Sequence, residues 1–359
     1  MLKQRNRNVL MILIFESLVG PGTFEWIPYW LAHSRTGVWA PFLMYVLISA
    51  LVAWVLVSVT FRMELGPIRP VTIFNGLIQT RWLVWTLNGL LFMFCLAQAS
   101  SALRVSMNLI KYIALPYTPM AVLAGLAMVV TLQLFSGGLD AFLRYQAALF
   151  WPTITIGLMM LLLSLGVSDR ENLLPLWPVH WHDVFGLFPQ FGYLMTGWCL
   201  AAVYLPVFRL AGVERAPMRR RVLSGFLMAA ALQALNLFVV LVDFGPYEGA
   251  SLYWPVFEAV RMQPEGRWVV LFLLPVLVAS TSAINLYTFA AYRIALYYRR
   301  KRTVLLGMSI ALTVMGLSLL PVSMQTLFHQ YVWVLNGIEI IVFATAVFLV
   351  FKQRIWEGG

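Results

Sequence analysis

Gly20, Pro21 and Gly22 stand together in the middle of an apolar run. That combination unwinds a helix. Proline lacks an N–H and its ring clashes with the preceding turn, while glycine accepts backbone angles other residues avoid. Counted at about 1.5 Å per residue from Asn8, Gly20 lies about 18 Å along the run, just past the middle of a hydrocarbon core about 30 Å thick. Backbone opens at that depth only where it lines a cavity or is buried in protein. The freed N–H groups of Thr23 and its neighbours then face an anion such as a carboxylate. A plain proline kink is the competing reading. Against it, half a chain later a second apolar run carries Gly192-Tyr193-Leu194-Met195-Thr196-Gly197. Paired interruptions in corresponding segments point to a ligand site near the midplane.

Other polar residues at membrane depth extend the candidate site. Glu16 is about 12 Å along the first run and is costly there unless paired, protonated or hydrated. It suits an ammonium group or a cation. Glu25 reads as an interfacial residue. Glu339 lies about 15 Å into the last run, where it lines a polar path, is protonated or pairs with Arg104. Ser280, Thr281, Ser282 and Asn285 share one mid-depth stretch and serve either a ligand or helix–helix bonding. Gln233 and Asn236, three apart and on one face, read as helix packing. Ser101 sits in a stretch with Gln98, Ser100, Arg104 and Asn108. Arg104 either holds a carboxylate or, with Lys111, snorkels to the interface.

These residues need helices to hold them. The chain has 359 residues, of which 61% are hydrophobic and 11% charged, against about 25% charged in a soluble domain. Ten stretches are long and apolar enough to span a bilayer, at about 8–32, 37–61, 83–110, 117–135, 145–167, 187–209, 222–243, 268–292, 303–324 and 329–351. The net charge of +11 does not indicate nucleic acid, because the basic residues sit in short loops where they set topology. With the N-terminus in the cytoplasm, 19 of the 25 Lys and Arg fall inside, which places both ends there. The basic start runs on into a helix, so no cleaved leader is read. The whole of 1–359 reads as a single polytopic membrane domain.

Cys95 and Cys199 lie in separate apolar segments and read as small buried hydrophobes. His180 and His182, beside Trp177 and Trp181, are too few donors for a metal. No phosphate loop, nucleophile triad or metal-hydrolase motif is present. The expectation is therefore no enzyme, no cofactor and no metal.

The two halves, about 8–167 and 187–351, match in length and run in opposite senses. Each carries an amphipathic stretch between its second and third spans, Val71 to Thr80 on the inside and Pro255 to Met262 on the outside. Equivalent pieces on opposite sides are what an inverted repeat predicts. The expected fold is an all-α integral membrane protein, ten transmembrane helices in a 5+5 inverted repeat with helices 1 and 6 broken.

Leu18-Val19-Gly20 followed by Pro28 and Trp39, then Arg104 through Leu115-Pro116-Tyr117-Thr118-Pro119, and Tyr253-Trp254-Pro255 with Phe257-Glu258 and Arg261, occur in order along the chain. In these the chain resembles the spore germination receptor B-subunit (GerAB-like) family of the amino acid–polyamine–organocation transporter superfamily. It departs from that pattern at Arg7-Asn8-Val9, Arg35-Thr36-Gly37 and Pro264-Glu265-Gly266-Arg267. The resemblance implies a LeuT/APC-like fold in the spore inner membrane and a germinant-sensing role. The implied partners are a larger A-type subunit and a C-type lipoprotein, and the implied ligands are amino acids or similar small nutrients. The ligand site would draw on Gly20, Pro21, Gly22, Thr23, Ser101, Gly192, Tyr193, Thr196, Gly197, Thr281, Ser282 and Asn285, with Glu16 or Glu339 as a coupling or polar-path acid. An amino acid/cation secondary transporter is the alternative.

Overall fold

The computed structural model describes residues 2–19, 26–63, 71–78, 80–164, 170–173, 181–187, 191–252, 254–261, 268–299, 304–320, 334 and 336–348. Among the described residues every regular element is a helix: α1 (Leu2–Val19), α2 (Trp26–Ser34), α3 (Trp39–Arg62), α4 (Arg81–Ile113), α5 (Met120–Ser164), α6 (Trp181–Gly186), α7 (Phe191–Leu210), α8 (Arg215–Ser251), α9 (Pro255–Arg261), α10 (Trp268–Arg299) and α11 (Val304–Ser318). A further apolar helix, α12, covers Asn336–Phe348. Four runs are long and apolar enough to cross a membrane, Trp26–Arg62, Arg81–Tyr112, Met120–Gly138 and Arg215–Ser251. The shorter apolar helices are Asn8–Val19, Leu194–Leu210, Val304–Ser318 and Asn336–Phe348.

The outward faces of these helices are as apolar as the interior. On α3, Leu43, Leu47, Leu51 and Trp54 recur at helical spacing and are all exposed, while Ser49 and Thr60 are fully buried. In water that pattern is the wrong way round, and in lipid it is what every helix flank requires. Several buried hydroxyls are satisfied within their own helices. Thr60 donates to the Leu56 carbonyl at 2.7 Å, Ser106 to Ala102 at 2.6 Å and Thr288 to Ile284 at 2.6 Å, the usual i−4 bond of such residues.

Two stretches expected as separate spans, 117–135 and 145–167, join with no loop between them. At Gly138 the backbone takes φ +70°, ψ −167° inside α5, a conformation open to glycine and costly for other residues. The two arms then lie along one stretch of α10. Phe135 and Phe142, on either side of the turn, both meet the Phe289 ring, at 5.8 and 4.7 Å. Farther from the turn, Thr131 donates to Asn285 at 2.7 Å on one arm, and Gln146 exchanges bonds with Ser282 on the other. Both arms thus climb α10 together, and α5 is a helical hairpin.

The remaining packing falls into two groups. α1, α2, α3, α7 and α8 pack on one another, and α10 packs most extensively on α4 and α5, with α11 against the same pair. The two amphipathic stretches form short helical pieces, a 3-10 turn at Ile73–Gly76 and α9. Glu258 of α9 accepts from Tyr112 at 3.0 Å and pairs with Arg261 at 3.5 Å, so this part of the Pro-Glu-Arg pattern fastens α9 to the end of α4.

Candidate ligand site

The candidate site begins where α1 stops at Val19. The glycine–proline triplet and Thr23 lie outside the described residues, and α2 resumes at Trp26. Gly197 of α7 faces the end of α1 so closely that a β-carbon there would lie 2.5 Å from the Ser17 carbonyl oxygen. Lower on α1, Gly225 of α8 approaches the Met11 carbonyl in the same way, its β-carbon falling 2.4 Å away. Glycine at these two points lets α1 lie backbone to backbone against both neighbours.

In the last described turn of α1, the Leu18 carbonyl accepts from Nε2 of Gln233 of α8 at 3.0 Å. Tyr45 of α3 donates to the Leu194 carbonyl of α7 at 3.3 Å and sits next to Gln233. The backbone of α7 and side chains of α3 and α8 therefore converge beside the last described turn of α1. Gln233 is thus a helix-packing residue, as its spacing predicts. That its partner is the final turn of α1 has no signature in the sequence of α8.

The second interruption is not found where the glycines predict it: Gly192 through Gly197 are helical, in the first turns of α7. Glycine inside a helix costs only about 1 kcal/mol and does not by itself break it. Gly197 is there for close approach, not for unwinding. The side chain of Tyr193 lies outside the described residues.

The other candidate residues divide among three neighbourhoods. Glu16, Ser282, Val19, Phe150 and Thr153 line a cavity of about 10 Å³, about the room one water needs. It lies where α1, α5 and α10 meet, with the Phe15 and Phe150 rings edge to face at 5.2 Å. Among the described residues, Oε2 of Glu16 is buried with no hydrogen-bond partner. Ser282 donates to Gln146 Oε1 at 2.8 Å, and Asn285 accepts from Thr131. The polar stripe of α10 thus bonds to the α5 hairpin, while Nδ2 of Asn285 is buried without a partner among the described residues.

Thr196, buried on α7, stands beside the Tyr287 hydroxyl of α10. Cys199, one turn along, lies within electrostatic range of Glu339 and Cys95. Glu339 is 3% exposed, and its Oε1 has no partner among the described residues. Both cysteines are free thiols. Ser101 is buried on α4 and Thr281 is half-buried on α10. Arg104 donates from Nη1 to the Leu320 carbonyl just beyond α11, where a cation suits a helix C-terminus. Among the described residues no group of three or more His, Cys, Asp or Glu is placed to hold a metal.

Apolar outward faces, hydroxyls bonded within their own helices and a few carboxyl and amide groups buried between helices are the features of an integral membrane protein. A model of the family described as spore germination protein matches residues 6–324. The chain belongs to that family. It is similar to "Spore germination protein B2" of Bacillus subtilis (strain 168), 20% identical over 70% of this chain and 66% of that one. It is also similar to "Putative spore germination protein YfkT" of the same strain, 29% identical over 44% of this chain and 42% of that one. The matched stretch therefore spans less than two thirds of either relative.

Proposed function

We propose that the chain is the nutrient-sensing membrane subunit of a spore germination receptor, folded as ten spans in a 5+5 inverted repeat within a single domain. The observation that carries the reading is the convergence of Gly197, Tyr45 and Gln233 on the end of α1, beside the Gly20-Pro21-Gly22 interruption. A small amino-acid-like ligand sits there. Its carboxylate faces backbone N–H groups near Thr23 and in the first turn of α7 at Gly192 and Tyr193, since helix starts favour anions. Its ammonium group and side chain meet carbonyls and the polar groups nearest that point, Thr196 on α7 and Ser282, which lines a small cavity with Val19 and Glu16.

Binding favours one of two packings of α1 against α7 and α8, and an A-type subunit and a C-type lipoprotein read the change. A ligand moves such a balance only by its differential affinity for the two states. A swing from 1:99 to 99:1 requires about 5.5 kcal/mol. Both termini are cytoplasmic, in keeping with the distribution of Lys and Arg, and the membrane is the spore inner membrane.

The test is a thermal-shift screen of amino acids on the purified receptor complex, with the germination response of spores carrying Gly197→Leu as its partner. A shift in the wild-type complex that Gly197→Leu abolishes supports the site. A normal response at normal subunit abundance rejects it. A second reading, amino acid/cation transport, draws on Glu16 and Glu339, each buried with an unpartnered oxygen among the described residues. Uptake into liposomes that Glu16→Gln or Glu339→Gln abolishes would favour transport over sensing.

A further inference from the structure

A second, roomier cavity lies away from the candidate ligand site. It encloses about 930 Å³ between the Gly138 end of α5, the last turn of α7, the last third of α10 and the first turns of α11. Its wall is aromatic. Phe135 and Tyr292 stack at 4.8 Å, and Phe289 lies beside both. Gly307 lets α11 close on Phe135, since a β-carbon there would lie 2.9 Å from the ring.

One cation stands in this apolar wall. Arg293 lines the cavity, and its Nη1 is buried with no hydrogen-bond partner among the described residues. Among the described residues that line it there is no acidic side chain. A buried guanidinium nitrogen without a partner is costly, and an anion at this point offsets that cost with charge-assisted bonds. The rim shows what kind of anion fits. Val304 is 74% exposed and Met308 44% exposed, and both continue into Leu305 and Leu312 on the apolar outer face of α11. The cavity therefore opens sideways onto a lipid-facing flank. The sequence that follows α10 adds Arg300, Lys301 and Arg302, which marks this end as the cytoplasmic one.

We infer that this crevice holds an anionic phospholipid, its phosphate on Arg293 and its acyl chain along the outer face of α11. Basic pockets between helices on the cytoplasmic side bind anionic headgroups by the same chemistry. The site is separate from the nutrient site and does not depend on it.

The experiment is native mass spectrometry of the full chain, titrated with phosphatidylglycerol or with phosphatidylcholine of the same acyl chains. Wild type should retain phosphatidylglycerol about fivefold better, the preference one basic residue near the surface supplies. Arg293→Gln should erase that preference and leave phosphatidylcholine retention unchanged. Met308→Trp, at the exposed rim and outside the helix-packing core, should block the crevice and lower phosphatidylglycerol retention even if Arg293→Gln does not fold. Glycerol phosphate, which has the headgroup anion and no acyl chain, should not displace the lipid. Equal retention of both lipids by wild type overturns the inference. So does an undiminished preference in Arg293→Gln or in Met308→Trp. Displacement by glycerol phosphate overturns it in favour of a soluble anion.

Discussion

Gly197 and Ser17 meet with no side chain between them: a β-carbon on Gly197 would lie 2.5 Å from the Ser17 carbonyl oxygen and 2.9 Å from the Leu18 nitrogen. Backbone cannot retreat from such a contact as the tip of a flexible side chain would. Gly197→Ala must therefore push α1 off α7, at a cost of about 1–3 kcal/mol. Gly225→Ala, against the Met11 carbonyl, is the control. Both variants are expected to unfold at lower temperature, and only Gly197→Ala is expected to lose the stabilisation a nutrient confers. Differential scanning fluorimetry with and without nutrient reads both effects.

Gln233→Leu keeps the bulk of the side chain and removes the donor to Leu18. A buried carbonyl left without its partner costs about 1–3 kcal/mol. The expected result is a lower unfolding temperature together with faster amide exchange at the end of α1. Unchanged exchange there would show that α1 ends without help from α8.

Much of the architecture is legible in the sequence, because lipid makes hydropathy nearly sufficient to find helices. α3, α4, α8 and α10 lie where apolar runs place them. The hairpin turn of α5 is less visible. A single glycine at 138 makes the reversal, so no polar linker separates the two arms. Gly197 shows the harder limit. Glycine serves both unwinding and close approach, and only a neighbour's position tells which. The partner of that contact is 180 residues away in sequence, and so is invisible to any local pattern. The polar stripe of α10 carries the same ambiguity, and Ser282 and Asn285 are found bonded to α5.

Ser282 and Gln146 exchange two bonds, at 2.8 and 3.3 Å, and their energies should not add. In a double-mutant cycle of Ser282→Ala and Gln146→Leu, a coupling of about 0.5–3 kcal/mol is expected for groups in direct contact. Additive losses in thermal unfolding would mean that the pair does not hold α10 to the hairpin.

Leu51 is 61% exposed near the middle of α3. Leu51→Lys puts a charge on a flank that faces hydrocarbon, which costs about 2.5–3.5 kcal/mol at a helix centre. A membrane-insertion assay should report markedly poorer integration than for Leu51→Ala. Equal insertion would place that flank against protein or water.

Glu16→Gln removes a charge and keeps the shape of the side chain at the small cavity shared with Ser282. The nutrient response is expected to survive at normal abundance. A variant that responds normally but no longer moves a labelled amino acid in liposomes would separate signalling from carriage.

The reversal at Gly138 has a mechanical outcome. Because both limbs of α5 clasp α10, α10 cannot tilt by itself, and any pull on it drags a three-rod slab. In the proposed sensing role, a small tug on the slender end of α1 would thus be spread across a broad front, with the clasped slab as the lever.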